Sequence, residues 1–233
     1  MCRNISYCDV LCCPALGSAG LYVWTCNDFA VSDAPVDVLI DEAIVALRAG
    51  MVVGIPTDTV YGLAVDPEVV GSTDRLFALK GRARSVELPV LVSGMQQADL
   101  LAGPGGMALA PRRLAERWWP GGLTIVVPRR LGLGWSLGGN EDTIGLRCPA
   151  HLELRSLCEE VGPLAVSSAN RHGEPPLTTV AEVRRVFGND LGVVVDGGVC
   201  DNAPSTVVGF VTEEPTCLRE GAVSWISVLE SLG

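Results

Sequence analysis

The chain of 233 residues predicts an α/β protein whose strands run in mixed directions, and three observations lead there. Helix-period stretches alternate with short apolar runs, with no internal repeat, which is the order that builds a sheet flanked by helices. Glycine (27) and proline (15) are plentiful and aromatics make up only 5%, which suits many tight turns better than a helical bundle. Hydrophobic residues reach 48% and charged residues only 19%, which excludes a disordered chain.

The regular pattern starts at Val36. Apolar residues at Val36, Leu39, Ile40, Ala43, Ile44 and Leu47 predict a helix over 36–48, and Gly50 stops it. Residues 51–55 form an apolar run between Gly50 and Pro56, hence a buried strand. Further helices are expected over 73–79, 107–118, 151–160 and 179–187. Further strands are expected over 88–92, 123–127, 143–146, 164–166, 192–195, 206–210 and 216–219. No interior linker breaks this run, so residues 36–233 are expected to form one domain.

Residues 1–35 differ. They lack periodicity and hold five of the nine cysteines: Cys2, Cys8, Cys12, Cys13 and Cys26. A poorly ordered extension is expected; a metal knuckle and an upstream start that is not the true one are the alternatives. The cysteine spacing matches no zinc pattern with paired arms. Cys148, Cys158 and Cys217 sit in apolar context and read as small buried hydrophobes in a reducing compartment. The apolar stretch 11–24 is too short and too broken by glycine to span a bilayer, and as a signal peptide it is weak. A cytoplasmic protein without a membrane partner is expected.

With a net charge of −10 and 17 Lys plus Arg, little direct nucleic-acid binding is expected, because phosphate neutralisation supplies most non-specific affinity. Acidity does not preclude a small anion, since a few clustered cations dominate the field of a cleft.

Four polar segments stand out. Residues 56–63, PTDTVYGL, place two hydroxyls, a carboxylate and a phenol directly after a buried strand; a plain loop with a helix-capping threonine is the alternative. Residues 80–84, KGRAR, put three cations at a helix C-terminus, where they suit the helix dipole but also converge on a polyphosphate. No Walker loop occurs, so a nucleotide must be held by such cations. Residues 167–170, SSAN, follow a strand and offer donors and acceptors, although the same residues are common turn formers. Arg147, the pair Ser205 and Thr206, and Arg219 mark later strand ends. His151 and His172 are far apart and belong to no nucleophile–base pattern, which argues against triad hydrolysis.

Taken in order, these pieces resemble the YrdC-like family of threonylcarbamoyl-AMP synthases. The resemblance runs from Val36 to Arg219 through GIPTDTVYGLAVDP (54–67), LKGRARSVELPVLVSG (79–94), RWWPGGLTIVV (117–127), TIGLRCP (143–149), PLAVSSANRHGEPPLTT (163–179), VVVDGG (193–198), PSTVVGF (204–210) and CLREGAVS (217–224). It implies a twisted mixed parallel and antiparallel sheet with flanking helices around one large, positively charged cavity. It further implies a nucleotidyltransferase that makes L-threonylcarbamoyladenylate from L-threonine, bicarbonate or CO2, and ATP with Mg2+, releasing pyrophosphate. A separate tRNA threonylcarbamoyl transferase is the expected recipient.

The family's Lys-x-Arg and Ser-x-Asn signatures fall on Lys80, Arg82, Ser168 and Asn170. By resemblance Lys80 and Arg82 are the catalytic, phosphate-binding pair. Thr124, Ser168, Asn170, Ser205 and Arg219 surround the nucleotide, and Thr57, Thr59, Arg147 and Ser167 lie nearer the threonine. The chain departs from the family at Ala83, Gly122 and Arg171-His172, where proline, proline and serine are usual. Two other readings remain: a non-catalytic relative that binds RNA or ribosomes, and a carbamoyl-transfer module of a larger maturation protein. The retained signatures and the acidity disfavour the former; missing zinc-finger and acylphosphatase-like segments disfavour the latter.

Overall fold

The computed structural model describes residues 36–212 and 214–233; the expected N-terminal extension, with its five cysteines, lies outside them. The elements run α1 (Val36–Arg48), β1 (Val53–Ile55), β2 (Gly62–Val65), α2 (Ser72–Lys80), β3 (Val90–Leu91), α3 (Met95–Leu101), α4 (Leu109–Trp118), β4 (Leu123–Pro128) and β5 (Thr143–Arg147). They continue as α5 (Leu152–Glu160), β6 (Leu164–Ser168), α6 (Val180–Phe187), a short 3-10 turn, β7 (Val193–Val194), β8 (Thr206–Gly209), β9 (Thr216–Arg219) and α7 (Trp225–Glu230).

The strands form one sheet in the order β7-β1-β2-β6-β3-β5-β4-β8-β9. Pairs β1/β7, β3/β5 and β4/β8 are parallel, and the other neighbours antiparallel, so the sheet is mixed as expected. Its two faces feed separate cores. On one side Val53, Ile55, Ala64 and Val166 pack against Ala43 and Leu47 of α1 and Leu154 and Leu157 of α5. On the other, Leu63, Val65, Ile125 and Leu146 pack among Leu76, Leu114, Val183 and Phe187 of α2, α4 and α6. Leu63, Ala64 and Val65 alternate between these cores, the period of two that a strand imposes. Burial on both faces explains why the central strands read as unbroken apolar runs.

Glycines end the first two helices. Gly50 takes a left-handed φ of 71° after α1, and Gly81 one of 60° after α2, which turns the chain so that Lys80 and Arg82 leave in different directions.

Three elements were not anticipated. β2 begins inside the PTDTVYGL segment, whose polar head makes the whole read as a loop. In α3 only Ala98 and Leu101 are buried, too narrow an apolar stripe to register. α7 is a single capped turn and a half after Ser224. Cys148 and Cys158 are buried as expected, but Cys217 is only partly covered, because β9 is an edge strand with one neighbour.

Candidate active site

The loop from Pro56 to Tyr61 carries the first site residues. Thr57 Oγ donates to the Val60 carbonyl (2.7 Å) and accepts the backbone N–H groups of Thr59 (3.1 Å) and Val60 (3.2 Å), so it closes a turn and caps no helix. With that proton committed, the 2.9 Å contact between Thr57 and Thr59 hydroxyls requires Thr59 to donate. Thr59 Oγ in turn accepts Arg147 Nη1 at 3.0 Å. Arg147 also donates to the Gly121 carbonyl (3.0 Å) and to Asp58 (2.7 Å), which fixes its planar fork and leaves the remaining N–H groups for a ligand. Tyr61 is fully buried; its hydroxyl accepts the Gly197 N–H and donates to the Gly198 carbonyl, tying down the turn after β7.

Lys80 and Arg82 divide their work. Lys80 is 4% exposed, and its ammonium donates to the carbonyls of Ser168 and Asn170 and to Asn170 Oδ1. It thereby fixes the strand end that carries the Ser-x-Asn residues, while Ser168 Oγ also bonds Asn170 Oδ1. Burial, with the Arg82 guanidinium second, pulls the Lys80 amine down to about 8. Arg82 reaches Ser167 Oγ through Nη1 (3.1 Å), the Val86 carbonyl through Nε (3.3 Å) and the Glu87 carbonyl through Nη2 (3.0 Å).

Across the sheet, Arg219 at the end of β9 donates twice to the Ser205 carbonyl (3.0 and 2.8 Å) and once to Ser205 Oγ (3.0 Å). Ser205 and Thr124 share a hydroxyl contact of 2.9 Å. Burial lowers both Arg82 and Arg219, each aided by a neighbouring guanidinium: Arg219 for the first, Arg147 for the second. Like charges gathered on one wall strengthen the local field that an anion would meet.

These groups face one cleft of about 200 Å³, lined among others by Thr57, Thr59, Arg82, Arg147, Ser168 and Arg219. Thr124, Ser167 and Ser205 complete the wall among the expected residues. A second cavity of about 380 Å³ shares Arg82, Thr124, Ser205 and Arg219 with the first. Lys80 and Asn170 stand behind the wall rather than on it. His172 is exposed and meets Lys80 only through the backbone (3.2 Å), and His151 precedes α5 beside Glu153 (3.0 Å).

Sequence reasoning noted the Asp58 carboxylate between the two chosen threonines but gave it no role in the site. It passed over Glu87 and Pro176, which no local signal marks. At Gly122, where proline is usual in the family, a Cβ would come within 2.7 Å of the Ala222 methyl, so Ala222 occupies the space that a side chain needs.

A mixed sheet that gathers three guanidiniums and a ring of hydroxyls into one cleft defines an anion-binding α/β protein. The family model Sua5/YciO/YrdC, described as "Telomere recombination", matches residues 45–221, and the chain belongs to that family. A Mycobacterium tuberculosis (strain ATCC 25618 / H37Rv) relative is 38% identical over 192 residues, covering 82% of this chain and 88% of its own. The threonylcarbamoyl-AMP synthase of Chromohalobacter salexigens is 39% identical over 171 residues, 72% of this chain and 90% of that one. The crystal structure of Pyrococcus abyssi Sua5 complexed with L-threonine superposes with a TM-score of 0.79 at 29% identity, covering 87% of this chain and 59% of that one. Among the described residues no helix is long and apolar enough to cross a membrane.

Proposed function

We propose that this chain is an L-threonylcarbamoyladenylate synthase, a nucleotidyltransferase that condenses L-threonine, CO2 or bicarbonate, and ATP. The observation that carries this reading is the single cleft in which Arg82, Arg147 and Arg219 converge in a protein of net charge −10. Relatives named threonylcarbamoyl-AMP synthase and the L-threonine complex of a neighbouring structure support it.

The chemistry needs no protein nucleophile. The threonine amine adds to CO2, losing a proton, and forms a carbamate. A carbamate oxygen attacks the α-phosphorus of ATP, and the bond to the β-phosphate oxygen breaks as pyrophosphate leaves. The protein's share is to hold two anions in line and to neutralise charge on the phosphates. Arg82 and Arg219 bind the phosphates across the wall shared by the two cavities. Thr124, Ser168 and Ser205 hydroxyls orient them. Thr57, Thr59, Ser167 and Arg147 hold the threonine, with Asp58 aligning Arg147. Lys80 and Asn170 fix the strand end that presents Ser167 and Ser168, which refines the expectation that both touch the nucleotide.

Mg2+ enters with ATP. Among the described residues no cluster of His, Cys, Asp and Glu is grouped to hold a metal, and the cleft's donors are cations and hydroxyls. Phosphate oxygens and water would supply its ligands, as is usual for this ion. The product passes to a tRNA threonylcarbamoyl transferase for N6-threonylcarbamoyladenosine formation, in the cytoplasm where the tRNA resides.

Pyrophosphate release by the purified chain tests the reading. Release from Mg·ATP that requires both L-threonine and bicarbonate is expected. Well-folded protein that releases none would return the non-catalytic, RNA-binding alternative, and tRNA retention would then be measured.

A further inference from the structure

Resting on the ATP-dependent reading above, we propose that Glu87 selects the base of the nucleotide: its carboxyl group accepts the exocyclic 6-amino group of a purine lying on Gly145. The second cavity changes character beyond the wall it shares with the first. Past the guanidiniums of Arg82 and Arg219 its lining includes the apolar Val126, Gly145, Val207, Val211 and Leu218, the polar Asn140 and Thr143, and Glu87 as its one carboxyl group. An apolar space of about 380 Å³ with a few polar groups is what a planar base requires once its phosphates are held at the cationic end.

Gly145 exposes bare backbone to that space. The nearest atoms a Cβ placed there would meet are the Thr124 and Val126 methyls at 3.6 Å and the Pro89 Cα at 3.8 Å, ordinary contact distances, so a side chain is not forbidden there. A ring can therefore lie directly on the strand, beside Val126 of the adjoining β4 and Val207 of β8 beyond it.

A carboxyl group beside a triphosphate site works against the phosphates, and Glu87 is built to stay. Its carbonyl accepts Arg82 Nη2 (3.0 Å), and the next residue donates its N–H to the Leu137 carbonyl (2.9 Å). The Gly139 backbone presses so close that a Cβ there would fall 2.7 Å from Glu87 Cβ. Of its two carboxyl oxygens, Oε2 accepts the Thr143 hydroxyl (3.3 Å), while Oε1 is buried without a hydrogen-bond partner. Glu87 lines the ligand cavity, and a turn of its carboxyl group toward the ligand would bring the unpartnered Oε1 to a donor. A 6-amino group supplies one; a 6-oxo group would set oxygen against oxygen when the carboxyl group is ionised. Burial pushes the carboxyl up to about 7, opposed by Thr143 and Arg129, in keeping with a group still short of a donor.

The test is a cycle between protein and nucleotide. Wild type, Glu87→Ala and Glu87→Gln are each assayed for kcat/KM with ATP, ITP and the triphosphate of purine riboside, which lacks any 6-substituent. Wild type is expected to prefer ATP by about tenfold over both analogues, the discrimination one buried hydrogen bond provides. Glu87→Ala should lose about that factor with ATP and change less than about twofold with purine riboside triphosphate. Glu87→Gln, whose amide can donate to a 6-oxo group, should narrow the gap between ATP and ITP.

Equal losses with all three nucleotides would mean that Glu87 only supports the fold, and the proposal would fall, as it would if wild type used GTP or ITP as well as ATP. Calorimetric Kd values for the same set separate this result from the reading beneath it. Binding of ATP without threonine-dependent turnover sinks the synthase reading, and the Glu87 comparison is then decided on Kd. No ATP binding at all overturns both. Gly145→Val gives a second line, because its backbone is unstrained: loss of ATP binding with L-threonine binding retained is expected, and unchanged ATP binding would displace the base from this cavity.

Discussion

At Arg82 one planar side chain spans Ser167 Oγ, the Val86 carbonyl and the Glu87 carbonyl, so it braces the Ser-x-Asn strand end against the wall of the second cavity. A lysine brings the same charge but not the fork. Arg82→Lys is therefore expected to lose about as much as Arg82→Ala in kcat/KM for ATP. A loss of roughly tenfold to a hundredfold follows from about 1.5–3 kcal/mol per charge-assisted contact; full activity in Arg82→Lys would show that charge alone suffices. Lys80, the only lysine of the chain, acts at one remove. Its amine, lowered to about 8 by burial, is an ammonium below that pH and makes all three of its contacts to Ser168 and Asn170 only in that form. Turnover should then fall as pH rises through about 8, and Lys80→Met should be slower with that alkaline limb gone. A limb that persists in Lys80→Met would assign it to another group.

Elements respond to their ends. α6 starts with Thr179 Oγ accepting the Glu182 N–H (3.3 Å), while Glu182 reaches back to the Thr179 N–H (3.2 Å), and the helix buries Val183 and Phe187. Thr179→Ala should cost about 1 kcal/mol and lower Tm by roughly 2–4 °C in a calorimetric scan, with KM for ATP unchanged. The Thr179 and Glu182 spacing, like the periodicity of α1, is local and was legible as a helix start. β2 was not, because four apolar residues after a polar loop carry no period of their own. Its strand character comes from pairing with β1 just upstream on one side and, on the other, with β6, which lies far away in sequence.

For the whole molecule, a net charge of −10 surrounds a cleft of guanidiniums. Small anions feel the local cations, whereas an extended RNA would meet the overall field. KM for ATP should rise as KCl is raised from low to physiological ionic strength, as screening shortens the reach of those cations to about 8 Å. Over the same range the protein should not retard tRNA on a gel. Retardation at physiological salt would indicate a basic face that the charge balance hides.

The sequence alone determined the α/β class and the polar segments that supply Thr57, Thr59, Arg82, Arg147, Ser167, Ser168, Ser205 and Arg219. Those follow from period and residue type, which are local. Tertiary structure decided what each group does. It alone turned Lys80 inward onto the Ser168 and Asn170 carbonyls, joined Asp58 to Arg147 across the sheet, and set Glu87 in the wall of the second cavity. The physical reason is that burial and hydrogen-bond partnership depend on strands distant in the chain. A charge in a sequence has a type; only its neighbours in space give it a partner.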